Sequence, residues 1–239
     1  MAISDDGQMW FLINASPDLP AQIEAFKPLQ PSSSNKRHTP IADVLLTNPD
    51  LDHVIGLLLM RHKDEQQVVW CSDEIRAQLR WTSPILNSFG GLAYHEAPLD
   101  FYRLTATIDF RAVPVTENCI AYDFLDRTTG KRCLIAPAVG AINADLQTAL
   151  NWCHTMVFDG TFWSDDELKR VRPAARTALE MGHVPVEQSF ELLSRCRAEF
   201  KIYTHINNTN PILNPDSPER AQVNGAGFTV AEDGMELQL

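Results

Sequence analysis

Apolar residues in this chain come in short runs closed by Asp, Asn, Gly and Pro. Met1 to Pro17 reads as a hairpin, in which Ala2 to Ser4 and Trp10 to Ile13 flank a turn at Asp5, Asp6 and Gly7. A helix is expected from Asp18 to Ala25, then a polar loop from Pro31 to Thr39. The run Ile41 to Leu46 has the composition of a short buried strand, and Thr47-Asn48-Pro49-Asp50-Leu51-Asp52-His53 follows it directly. Val54 to His62 and Asp73 to Leu86 have helical composition on either side of a strand at Gln67 to Cys71. Tyr102 to Asp126 holds several strand-like pieces, and the turn Arg127 to Gly130 leads into Arg132 to Pro137. Ala144 to Cys153 and Val186 to Arg197 read as helices, while Thr155 to Phe158 and Lys201 to Thr204 read as strands ending at Asp159 and His205. Alternation of this kind predicts a layered α/β fold.

With 239 residues, 44% of them hydrophobic, the chain can bury the core of one large α/β domain or two small ones. The net charge is −11 and the Lys and Arg residues are scattered, so an electrostatic grip on nucleic acid is not expected. Cys71, Cys119, Cys133, Cys153 and Cys196 are odd in number and widely spaced, which suggests buried thiols rather than a disulfide framework or a thiolate zinc site. The apolar run Leu57 to Met60 is far too short to cross a membrane, and MAISDDGQMW lacks the pattern of a secretory signal; a cytoplasmic protein with no membrane partner is expected.

Three strands end in ionisable residues: Asp52 and His53 after VLLTNPDL, Asp159 after TMVF, and His205 after KIYT. Strand ends project side chains from a rigid scaffold into a shared loop region, where α/β proteins place their sites. Two imidazoles with one or two carboxylates form a ligand set for zinc, manganese or iron(II). His183, in EMGHVP, precedes a helix and reads either as a helix cap or as a proton-moving or substrate-contacting group. Asn207, Asn208 and Asn210 in HINNTNPIL read either as turn formers or as amides that orient a polar substrate.

These stretches carry a family likeness. Asn48 to His53 resembles the H-x-H-x-D-H motif of the metallo-β-lactamase superfamily with the first two histidines replaced. Asp159 resembles its bridging carboxylate, His205 its last histidine ligand, and Leu12-Ile13-Asn14-Ala15 its early D-x-G turn with Asn14 in the place of aspartate. WFLINASPDL, VVWCSDE, FDGTFWSDDE, EMGHVPV, THINNTNPIL and DSPERA resemble the pyrroloquinoline quinone (PQQ) biosynthesis protein B family within that superfamily. The resemblance implies an αββα sandwich formed as a single domain over residues 1–239. Relative to the family pattern, the chain starts at what resembles the second strand, so an N-terminal segment with a structural zinc is expected to be missing. The resulting bare sheet edge would favour a homodimer.

The resemblance also implies one metal ion rather than two. Asn48 and Asp50 replace two imidazoles, and no His lies between His95 and His154, where Glu117 is the remaining acid of the loop after VPVT. The implied ligands are Asp52, His53, Asp159 and His205, with Asp159 either ligating or orienting the metal and His183 moving protons. Arg176, Asn207, Asn208 and Asn210 would hold the substrate. The implied activity is an iron(II)-dependent oxygenase acting on a small or peptide-derived, tyrosine-based PQQ precursor. A zinc hydrolase with the same ligands is the alternative, and a non-catalytic carrier of PQQ or its precursor is a third reading.

Overall fold

A computed structural model describes residues 1–32, 38–60, 66–82, 84–88 and 91–238. Its backbone contacts fall into two compact units, Met1–Pro98 and Leu99–Leu239.

The first unit is built on a sheet whose described strands run in the order β1 (Ala2–Ile3), β2 (Trp10–Ile13), β3 (Ile41–Leu45), β4 (Gln67–Cys71) and β5 (Leu92–Glu96). The strand β1 pairs antiparallel with β2, as the expected hairpin requires, and β2 to β5 are mutually parallel. Parallel neighbours need crossovers, supplied here by α1 (Leu19–Ala25), α2 (Leu51–Val54), α3 (Asp73–Thr82) and α4 (Pro84–Ser88). Phe11, Leu12, Ile13, Val44, Leu45 and Val69 are buried, which accounts for continuous apolar runs in place of strict alternation. The stretch read as helical from Val54 becomes a 3-10 turn at Ile55–Leu59. The rest of that reading, to His62, lies outside the described residues, as does most of the polar loop from Pro31.

The register Ile13↔Leu45 and Leu45↔Trp70 aligns the strand ends. The residues after β2 and β3 therefore emerge side by side, which sets Asn14 next to Thr47.

In the second unit the described strands are ordered β12-β11-β10-β9-β8-β7-β6, with ranges β6 Tyr102–Arg103, β7 Ile108–Thr116, β8 Cys119–Asp126, β9 Arg132–Ala136, β10 Thr155–Asp159, β11 Phe200–Thr204 and β12 Phe228–Val230. An antiparallel meander, β6 to β9, passes into a parallel half, β9 to β12. The helices are α5 (Ala144–Trp152), α6 (Glu167–Val171), α7 (Val186–Ser194) and α8 (Pro218–Gly225). α5 starts where the Asn143 side chain accepts the Leu146 N–H at 2.9 Å, and it buries Leu146, Ala149 and Leu150. α8 starts at Ser217, whose hydroxyl accepts the Arg220 N–H at 3.0 Å, with Pro218 in the first turn.

One buried charge ties the meander together. Asp123 on β8 is fully buried and paired with Arg111 of β7 at 3.0 Å and with Arg132 of β9. The Phe101 ring covers both guanidinium groups at 5.1 and 5.3 Å. Removing Asp123 would leave the two guanidinium groups facing each other without their counter-charge and would cost about 3–5 kcal/mol.

Candidate functional site

The parallel half of the second sheet gathers three strand ends. The register Ala136↔Phe158 and Asp159↔Thr204 brings the residues after β9, β10 and β11 to one edge, so Val139, Asp159 and His205 are neighbours there. Gly160 makes the turn after β10 compact: a Cβ there would meet the Tyr203 Cβ at 3.0 Å and the Thr204 carbonyl oxygen at 3.2 Å. His205 takes a left-handed backbone with φ of 57°, uncommon for a residue with a Cβ and held here as the chain leaves β11. The glycine at 182, with φ of 84°, turns the chain so that His183 reaches the same edge.

Asp159 is fully buried and accepts four hydrogen bonds. Its Oδ1 receives the Thr161 N–H at 2.9 Å and the Thr161 hydroxyl at 2.6 Å; its Oδ2 receives the Val139 N–H at 2.8 Å and His183 Nδ1 at 2.7 Å. A carboxylate offers about four acceptor positions, and these contacts fill them. Because a carboxylate only accepts, the proton between it and His183 sits on the imidazole Nδ1. That leaves the His183 lone pair on Nε2.

Thr161 extends the same logic to His205. Its single hydroxyl proton goes to Asp159, so toward His205 Nδ1 at 2.7 Å and His183 Nδ1 at 3.1 Å the oxygen acts as acceptor. His205 therefore carries its proton on Nδ1 and its lone pair on Nε2. The two rings stack with centroids 5.4 Å apart, and Phe162 packs edge-on against His183. Ligand atoms of Asp159, His183 and His205 lie within 4.8 Å of one another. With the carboxylate's acceptor positions filled, the imidazole lone pairs are the donors this cluster offers, of a type suited to zinc or iron(II).

Of the residues singled out in the sequence, Asp159, His183 and His205 are thus brought together. His183 caps no helix: α7 begins three residues later at Val186. Asp52 and His53 lie on α2 in the first unit, His53 buried and Asp52 exposed, with His53 Nε2 3.6 Å from Asp52 Oδ2. Asn210 serves the 3-10 turn that follows it, Pro211–Leu213. It is buried, accepts the Ile212 N–H at 3.0 Å and donates to the Gly160 carbonyl at 2.7 Å, so its amide is occupied by the loop itself. Asn207 donates to the Thr209 hydroxyl at 2.7 Å, and Asn208 is exposed. Arg176 is exposed, with one guanidinium N–H on the Glu180 carbonyl at 3.5 Å.

Two contributors are absent from the sequence reading. Thr161 is not singled out there, although a hydroxyl two positions after a strand-end aspartate is placed to bond back to it. Glu167 is buried on α6, where it receives the Trp163 N–H at 2.6 Å and the Thr209 hydroxyl. It ties the loop after Asp159 to the loop after His205.

Residues 9–206 match the model of the beta-lactamase superfamily domain. Along its whole length the chain is 35% identical to coenzyme PQQ synthesis protein B of Pseudomonas entomophila and 33% identical to that of Azoarcus, covering 86% of each. Among solved structures, Zn(2+)-bound PqqB from Methylobacterium extorquens matches with a TM-score of 0.89 at 30% identity, covering all of this chain and 86% of that one. A diphosphatase of the PhnP family matches in fold, with a TM-score of 0.70 at 17% identity, covering 100% of this chain and 83% of that one.

Proposed function

Since the chain belongs to the coenzyme PQQ synthesis protein B family and has the metallo-β-lactamase fold, we propose that it serves PQQ biosynthesis as a single-metal, iron(II)-dependent oxygenase acting on a tyrosine-derived precursor. The observation that carries this reading is the hydrogen-bond set that leaves the His205 Nε2 lone pair for a metal and the His183 Nε2 lone pair for a proton. A divalent metal held there would supply open coordination positions for oxygen and substrate. His205 is the ligand from this unit, and Asp52 and His53 take the ligand role on the resemblance of their motif.

Asp159 is assigned an orienting role, because all four of its acceptor positions are already filled. His183 is assigned proton transfer at Nε2, its Nδ1–H fixed by the Asp159 carboxylate. The exposed Arg176 and Asn208 are assigned to the carboxylates and amides of the precursor.

The test is anaerobic purification, metal analysis, and oxygen consumption with a quinone precursor. Turnover with iron(II) that depends on oxygen supports the proposal. Activity with zinc and none with iron would replace it with the hydrolase reading, which the zinc-bound relative favours.

A further inference from the structure

The first unit holds an imidazole whose surroundings are the reverse of those at His183 and His205. Asn14 leaves β2 in a left-handed conformation, φ 60°, which turns its side chain along the edge beside Thr47. Its own N–H bonds the Leu45 carbonyl at 2.9 Å, and the next N–H, of Ala15, bonds the His53 carbonyl at 2.6 Å, so backbone on both sides fixes the position. The backbone N–H of Thr47 points at one end of the Asn14 amide at 2.8 Å. A backbone N–H can only donate, so that end is Oδ1 and the other is the NH2 group. The NH2 group lies 2.9 Å from the Thr47 hydroxyl and 3.2 Å from His53 Nδ1.

An amide NH2 also only donates, so His53 Nδ1 is the acceptor and a neutral ring carries its proton on Nε2. That nitrogen faces Asp52 Oδ2 at 3.6 Å, where an N–H is favoured over a lone pair. We propose that Asn14 holds His53 in the Nε2–H tautomer and thereby weakens metal binding through His53. The inference rests on the reading of Asp52 and His53 as metal ligands. Binding through Nε2 requires the proton to leave that nitrogen, and in a neutral imidazole it reappears on Nδ1, opposite the N–H of Asn14. Two donors then face each other. Relief requires turning the amide, which would set its NH2 against the Thr47 N–H.

An aspartate at position 14 would remove the conflict. Its carboxylate accepts from Thr47 N–H and from a His53 Nδ1–H together, and aspartate tolerates the left-handed backbone. Partners of this kind change metal affinity by roughly 10- to 100-fold.

The experiment is nitrogen-15 NMR of the histidines in metal-free protein, with zinc affinity from chelator competition, for the native chain, Asn14→Asp and His53→Ala. Expected are an Nε2–H tautomer of His53 in the native chain, an Nδ1–H tautomer in N14D, and about 10-fold or more tighter zinc binding in N14D. An Nδ1–H tautomer in the native chain overturns the inference. So does an unchanged zinc affinity in N14D while H53A loses affinity. Unchanged affinity in H53A overturns the metal-ligand reading instead, and the tautomers observed by NMR then stand apart from it.

Discussion

At the scale of single residues, the site depends on which way a few protons point. The Thr161 hydroxyl is the pivot of the second unit, since it donates once to Asp159 and accepts from the two histidines. Thr161→Val keeps the shape and removes the oxygen. Asp159 Oδ1 then loses one of its two donors, which should lower stability by about 1–3 kcal/mol. His205 loses the group that keeps its proton on Nδ1, and zinc affinity should fall by roughly 10- to 100-fold. Thr161→Ser restores the hydroxyl and should recover most of both effects. Urea denaturation and chelator competition on the pair decide the matter, and a valine variant with native zinc affinity would remove Thr161 from the site.

At the scale of elements, the strands that read clearly are those that are largely buried. Ile41 to Leu45, interrupted by Asp43, and Met156 to Phe158 are mainly apolar because parallel neighbours flank them. β5, with the sequence LAYHE, lies at the end of its sheet and is largely half-exposed, so its pattern carries little period-2 contrast and it is missed. β12 has three residues, too few for any period, and is missed too. α8 carried a usable signal in Ser217-Pro218-Glu219, a capping residue followed by proline, which the sequence reading used only as a family likeness. The site follows the same division. Asp159 and His205 are visible because they end apolar runs, whereas the positive φ values of Asn14 and His205 leave no mark where no glycine stands.

The turn after β8 supplies a test at this scale. Asp126 Oδ1 accepts the Thr128 N–H at 2.8 Å and its hydroxyl at 2.6 Å, and Oδ2 accepts the Thr129 hydroxyl at 2.6 Å. The Thr128 and Thr129 hydroxyls hold the Asp126 carboxyl down to about 2, against an ordinary 3.8. A carboxyl lowered in the folded state adds stability that is present above its unfolded pKa and is lost as pH falls toward the folded one. The turn should therefore tighten the hairpin above pH 3.8 and lose that contribution between 3.8 and about 2. Thr128→Ala should move the Asp126 titration up toward 3.8, read by carboxyl-carbon NMR. An unmoved titration would assign the shift to some other contact.

At the scale of the whole molecule, both units use one device: parallel strands end in register, and the residues just beyond them carry the chemistry. Asn14 and Thr47 illustrate it in the first unit, Val139, Asp159 and His205 in the second. No helix among the described residues is long and apolar enough to cross a membrane. The cysteines report on how firmly each unit is closed. Burial pushes the thiols of Cys71, Cys133 and Cys153 up to about 12, and Cys119 is buried with its S–H on the Ala138 carbonyl at 3.0 Å. Cys196 is half-exposed. Only the thiolate reacts, so at pH 8 a thiol reagent should label Cys196 first in the native protein. Cys71 in the first unit and Cys133 and Cys153 in the second should react only at rates set by local opening, and all five cysteines should react in denaturant. Mass-resolved labelling follows each site separately. Fast modification of Cys71 in native protein would mean that β4 opens readily, and would contradict the packing that makes Val69 and Cys71 part of the core.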